Sequence, residues 1–324
     1  MNRRYNVDVL RIISALAVIT IHVVTAPVGN AGGTVSYAMR EQLNLIHNLM
    51  MWSVPVFFMI TGYCLIKKEE CTYRYCLRHV LKYVAVLFTV GFFYALLEQI
   101  FQSRTFSLKI IGTSIVNVVN GNLWEHMWFV YTIIGIYLVM PVVHSFMKQN
   151  PKDVFILTGL LFVFTILWPI IGHWFSIWIE FPFGSYLFYV CFGGAVANCK
   201  LKKNVVLLIC FLGAVATLSL IVRGGNVVLS FKSLEVALMA MGVFIMIEQF
   251  TINQNKYIAL LADCAWGIYL IHPFFVNLTL KVLKIDLLGS APYIRLLIFE
   301  VVLVVIGFAV TYVLKKIPVI KLLF

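Results

Sequence analysis

Apolar residues run along this chain in long blocks, and short intervening segments carry nearly all of its charge. Ten blocks have the length of a transmembrane helix, about 17–25 residues at 1.5 Å rise across a ~30 Å hydrocarbon core. They fall at 7–26, 45–66, 80–101, 124–146, 153–172, 183–199, 204–222, 232–250, 258–280 and 292–314. Backbone N–H and C=O groups in lipid must be satisfied within the segment, so each block predicts a helix. The expected fold is an all-α integral membrane protein, a polytopic helical bundle of about ten transmembrane helices. The stretch 106–120 (FSLKIIGTSIVNVVN) is apolar but interrupted by Asn and Gly, and predicts an interfacial or re-entrant piece before the fourth span. The connecting segments are short, so residues 1–324 are expected to form a single membrane domain without an appended soluble module. No internal or inverted repeat of the kind many transporters carry stands out.

The charges between the blocks set an orientation. With the N-terminus inside, 16 basic residues fall in inner segments and 8 in outer ones. Cytoplasmic loops carry the excess of Lys and Arg, so both termini are expected in the cytoplasm of a multi-pass protein of the bacterial plasma (inner) membrane. The first block follows Arg3 and Arg4 as a signal peptide would. Asp8 and Arg11 intrude, and no A-x-A site follows, so the segment is expected to be retained.

Composition agrees. Hydrophobic residues make up 62% of the 324 positions and charged residues 12%, with a mean hydropathy of +0.97. Soluble domains run near 45–50% apolar and about 25% charged. The net charge of +12 would suit nucleic acid only on a solvated basic face; here it is dispersed in short loops, which excludes nucleic acid as a partner. The seven cysteines (64, 71, 76, 191, 199, 210 and 264) form no CxxC pair and are odd in number. They are expected to be free thiols, with no disulfide framework and no metal site.

Ionisable residues inside membrane spans are costly and are the first functional candidates. The first span holds Asp8, Arg11 and His22. Eleven residues at roughly 100° each bring His22 back to within about 20° of Arg11, some 16 Å further along the helix. Asp8 and Arg11 are i,i+3 neighbours and can pair. One stripe therefore reads Asp8, Arg11, Ser14, Val18, His22. Alone, Arg11 reads equally as a snorkelling anchor and His22 as a satisfied core histidine. A cation and a base on one face turn the pair toward function. Five of seven histidines (22, 47, 126, 173 and 272) fall in the outer half or outer loops of this topology. Glu125 and His126 open the fourth span beside Trp124 and Trp128, Glu98 ends the third, and Tyr269 and His272 lie in the outer part of the ninth. That gathering predicts a polar cavity open to the exterior.

On the inner side, 67–82 (KKEECTYRYCLRHVLK) interleaves basic and aromatic residues. It reads as a topology signal or anionic-lipid contact, or as a docking surface in which Arg74, Arg78 and Lys82 take the phosphates of a cytoplasmic donor. No P-loop or Rossmann fingerprint is present.

These residues resemble the acyltransferase-3 family of integral membrane O-acyltransferases. Arg11 and His22 match its R-x10-H signature, and Ser53 to Tyr63 (SVPVFFMITGY) resembles its VPxFFxxSGY stretch with Thr61 in place of Ser. His126-Met127-Trp128-Phe129, with Tyr137 and Pro141, resembles its HLWF…Y…P element, and Trp266 to Pro273 (WGIYLIHP) its GIYLxH element. The short stand-alone members, of the kind that O-acetylate enterobacterial common antigen, are the nearest in pattern. The resemblance implies acetyl-coenzyme A as cytoplasmic co-substrate, no permanently bound cofactor, and a hydroxyl acceptor on a cell-surface or lipid-linked glycan. His22 would act as general base, with His126 or Trp128 as donors to a developing oxyanion. The alternative is a transporter of a small polar solute such as an amino acid, for which buried Asp, Arg and His would also serve.

Overall fold

The computed structural model describes residues 3–149, 152–175 and 184–324, and all their regular structure is helical. In chain order the helices are α1 (Tyr5–Ala31), α2 (Tyr37–Met50), α3 (Ser53–Ile66), α4 (Tyr73–Val86), α5 (Phe92–Ser103), α6 (Leu108–Asn120) and α7 (Trp128–Gln149). There follow α8 (Asp153–Phe162), α9 (Trp168–Phe175), α10 (Gly184–Asn198), α11 (Lys203–Arg223), α12 (Leu234–Glu248), α13 (Lys256–Asn277) and α14 (Pro292–Leu314). Five-residue π segments join α4 to α5 and α8 to α9 and extend α13, so each of these is one longer rod. The starts of α2, α4 and α13 are capped by Ser36, Thr72 and Asn255, whose side chains accept from first-turn amides. Such caps satisfy donors the helix itself leaves open.

Eight helical segments among the described residues are long and apolar enough to span, fewer than the ten apolar blocks suggest. The two blocks at 183–199 and 232–250 form α10 and α12, of 15 residues each, although residue 183 itself lies outside the described residues. The 15 residues of α12 reach only about 22 Å, short of the ~30 Å core, whereas α10 is described only from Gly184, where the described residues resume. Both are largely buried against other helices. The interrupted stretch at 106–120 forms α6, a short apolar helix of 13 residues ended by Gly121 at φ 74°.

Two compact units are formed, one of residues 1–68 and 147–311, the other of 69–146 and 312–324. In the first, α3 packs most extensively on α10, α11 on α12, and α1 on α13, α2 and α3. The α3–α10 contact is backbone to backbone. A Cβ on Gly62 would lie 1.9 Å from the Val190 carbonyl oxygen, and one on Gly193 1.9 Å from that of Met59. Lipid supplies no hydrophobic drive between helices, so close approach through small residues provides the van der Waals energy instead. In this unit α1 is half buried over its spanning window, against 17% for α11. The ionisable residues of α1 thus sit within helix packing, while α11 turns most of its surface outward. In the second unit α5 packs on α6, and α4 and α5 continue through their π segment.

Candidate active site

The N-terminal end of α1 carries a charge cluster. The Asp8 carboxylate is 1% exposed and accepts from Arg3 Nε at 2.5 Å and from Arg11 Nη1 at 3.1 Å. Arg3 reaches on to α13, donating to Asp263 at 2.9 Å and to the Ala259 carbonyl at 2.8 Å. A buried carboxylate stripped of one partner costs about 3–5 kcal/mol, so Asp8 is fixed between two guanidinium groups. Arg11 also points Nη2 at the Cys64 sulfur, 3.7 Å away. Arg4 turns the opposite way, onto the Tyr63 hydroxyl and Glu248, with Lys67 over the Tyr63 ring. Sequence spacing identifies the Asp8–Arg11 pair. The Arg3–Asp263 and Tyr63–Glu248 pairings escape it, because those partners are remote in the chain.

Further along the same stripe, Ser14 and Val18 are buried. The Ser14 hydroxyl has no hydrogen-bond partner among the described residues. Beyond them the His22 ring lies 5.0 Å from the His272 ring of α13. His272 is fully buried. Its Nδ1 lies 3.1 Å from the Ile268 carbonyl oxygen, which can only accept, so Nδ1 carries the proton and Nε2 is the basic nitrogen of the neutral ring. Tyr269 packs 6.1 Å from His272 and stacks on Trp266 at 5.4 Å. His47 lies within electrostatic reach of His22 and next to Asn48. Asn48 mimics a peptide group: it donates to the Val227 carbonyl at 2.7 Å and accepts from the Leu229 amide at 2.9 Å. Glu300 of α14 lies 2.5 Å from the Thr20 hydroxyl, two residues before His22. Its signal in the sequence is a lone carboxylate inside an apolar span, and it belongs with the candidates. The His173 side chain lies outside the described residues.

The other candidates belong to the second unit. His126 is buried, edge-on to Tyr94 at 5.5 Å, and Tyr94 stacks on Trp124 at 4.2 Å. The Trp124 indole donates to Glu98 at 3.0 Å. Trp124 thus links Tyr94 to Glu98. Glu125 is exposed, and Trp128 packs edge-on to Phe129. Arg74 and Arg78 are exposed on α4, and Lys82 is half-buried with Nζ 3.4 Å from the Phe324 carbonyl oxygen. Between them His79 sits 4.6 Å from Tyr75 and stacks on Tyr137 at 5.0 Å.

All seven cysteines are free, and no group of three His, Cys, Asp or Glu among the described residues is placed to hold a metal ion.

The chain matches the family model described as an acyltransferase domain over residues 4–316. Among the curated proteins and the solved structures compared with it, none matches. The family match takes in α1 to α14, with Arg11 and His22 inside it. The chain is a member of the acyltransferase-3 family, a multi-pass membrane protein with that family's acyltransferase domain.

Proposed function

We propose that the protein is an O-acyltransferase that moves an acetyl or other short acyl group from cytoplasmic acyl-coenzyme A to a hydroxyl of a cell-surface or lipid-linked glycan. The observation that carries this reading is the chemistry along α1. It has a guanidinium–carboxylate cluster at one end and a histidine pair at the other, about 16 Å apart by helical rise. A pantetheine arm is long enough to bridge that gap, and the buried Ser14 hydroxyl lies along the same stripe with hydrogen-bonding capacity in hand.

In the reaction, His22 takes the proton of the acceptor hydroxyl as its oxygen attacks the thioester carbonyl. The tetrahedral intermediate then expels the coenzyme A thiolate, which recovers the proton from His22. General acid–base action of this kind supplies about 10²–10⁴-fold in rate. His272 and Tyr269 are assigned to the acceptor, where the Nε2 acceptor of His272 suits a sugar hydroxyl. Arg11, positioned by Asp8, binds donor phosphate. In the second unit, Arg74, Arg78 and Lys82 are assigned to the donor phosphates, because planar guanidinium forks pair well with them. His126 and Trp128 are assigned as N–H donors to the oxyanion, and Glu125 to the same polar group.

The test is transfer itself. Purified protein is incubated with labelled acetyl-coenzyme A and an envelope glycan fraction. The expected outcome is alkali-labile label on the glycan, with free coenzyme A released in equal amount. Uptake of an amino acid into proteoliposomes with no such transfer would overturn the reading in favour of a transporter.

A further inference from the structure

Arg3 stands outside the R-x10-H pair and is held by two carboxylates of very different character. Asp8 is 1% exposed, wedged between Arg3 and Arg11. Asp263, on the neighbouring α13, is 49% exposed. Giving up the buried partner shifts an equilibrium by a factor of a hundred or more. Giving up the exposed one shifts it by less than about fivefold, because water and salt replace it readily. Arg3 therefore has one fixed partner and one exchangeable partner. Its side chain is itself about one-third exposed, and the two carboxylates hold its guanidinium above its ordinary pKa, so it is charged at every relevant pH. Around it lie Arg4, Arg11 and the positive end of the α1 dipole. Among the described residues, Asp8 and Asp263 are the acids that pair with Arg3.

We propose that Arg3 and Asp263 form an exchangeable latch: a phosphate of the acyl donor takes the place of Asp263 on Arg3, while Asp8 keeps the guanidinium aimed. Arg3 is then a binding residue for the donor diphosphate. Asp263 is the competing anion that keeps the site ordered when empty and weakens donor and product binding alike. Tight retention of spent coenzyme A would slow turnover, so such a competitor favours release. The inference rests on the donor reading above and extends it to two residues outside the family signature.

The sign of the effect separates a latch from a strut. Binding of coenzyme A, and of inorganic pyrophosphate as a phosphate-only probe, is measured by calorimetry on monodisperse, full-length protein in detergent. Asp263→Asn should tighten both by about two- to fivefold, the range of an exposed pair. Arg3→Ala should weaken both, and Arg3→Lys should weaken them less. In the Arg3→Ala background, Asp263→Asn should change nothing. Asp286→Asn, the same charge change beyond the other end of α13, should not tighten binding and controls for net charge. Asp263→Asn that leaves affinity unchanged or weakens it overturns the latch, as does tightening that persists without Arg3. Repeating the measurement in phosphatidylglycerol and phosphatidylcholine nanodiscs tests a lipid headgroup as the phosphate source. If the Asp263→Asn effect on coenzyme A vanishes only in the anionic discs, the natural occupant is lipid and the donor latch is wrong. Wild-type protein that binds no coenzyme A sinks the donor reading itself; binding without the Asp263 effect sinks the latch alone.

Discussion

Asp8 and Arg11 show how two side chains can be worth more than their separate parts. Arg11 donates to a carboxylate that Arg3 also grips, so its guanidinium plane is set before any ligand arrives. Arg11→Lys keeps the charge but loses the planar fork. One charge-assisted hydrogen bond is worth about 1.5–3 kcal/mol, so the donor KM should rise about tenfold or more, measured at constant folded protein. An unchanged KM would reduce Arg11 to a lipid-facing anchor. The Asp8, Arg11, His22 stripe was legible in the sequence because a single helix fixes its geometry. His272 was legible as a candidate, but its closeness to His22 was not, since 250 positions separate them and only the packing of α13 on α1 joins them. His47 was legible as one of the outer-side histidines, but Asp263 and Glu300 stayed hidden for the same reason, although Glu300, a carboxylate in an apolar block, carried a usable signal.

Helices were easier to read than side-chain contacts, because lipid allows the backbone few alternatives. Spanning helices and buried ones share the same apolar composition, so α12, only 15 residues long and packed on α11 and α3, reads in the sequence as a span. The glycines at their contacts were equally silent. Gly62 of α3 and Gly193 of α10 meet backbone at a distance no Cβ tolerates. Either glycine changed to alanine should force the pair apart and cost about 1–3 kcal/mol, the usual price of overpacking. The expected result is a lower thermal midpoint and less monodisperse protein in detergent. Gly112 meets nothing within 4 Å, and its alanine variant should leave both measures unchanged. Equal behaviour of Gly62→Ala and Gly112→Ala would mean the α3–α10 contact is looser than described.

The proposed acyl transfer, from a cytoplasmic thioester to an external glycan, requires the protein to have a definite orientation. Counted over the ten apolar blocks, the two-to-one bias of basic residues toward inner segments predicts both termini in the cytoplasm. A probe cysteine at Asn30, exposed just before the C-terminal end of α1, should then react with an impermeant maleimide in intact cells, in a background lacking the native cysteines. Reaction only after permeabilisation would invert the topology and place His22 on the donor side. The proposed transfer turns on His22. The most direct measurement is labelled acetyl transfer per mole of monodisperse purified protein, wild type against His22→Ala, in one glycan-containing reaction. Loss of the base should lower turnover by about 10²-fold or more while yield and thermal midpoint hold. A variant that keeps more than about a tenth of wild-type turnover, well above what the acid–base contribution allows, would make His22 a packing residue and contradict the assignment.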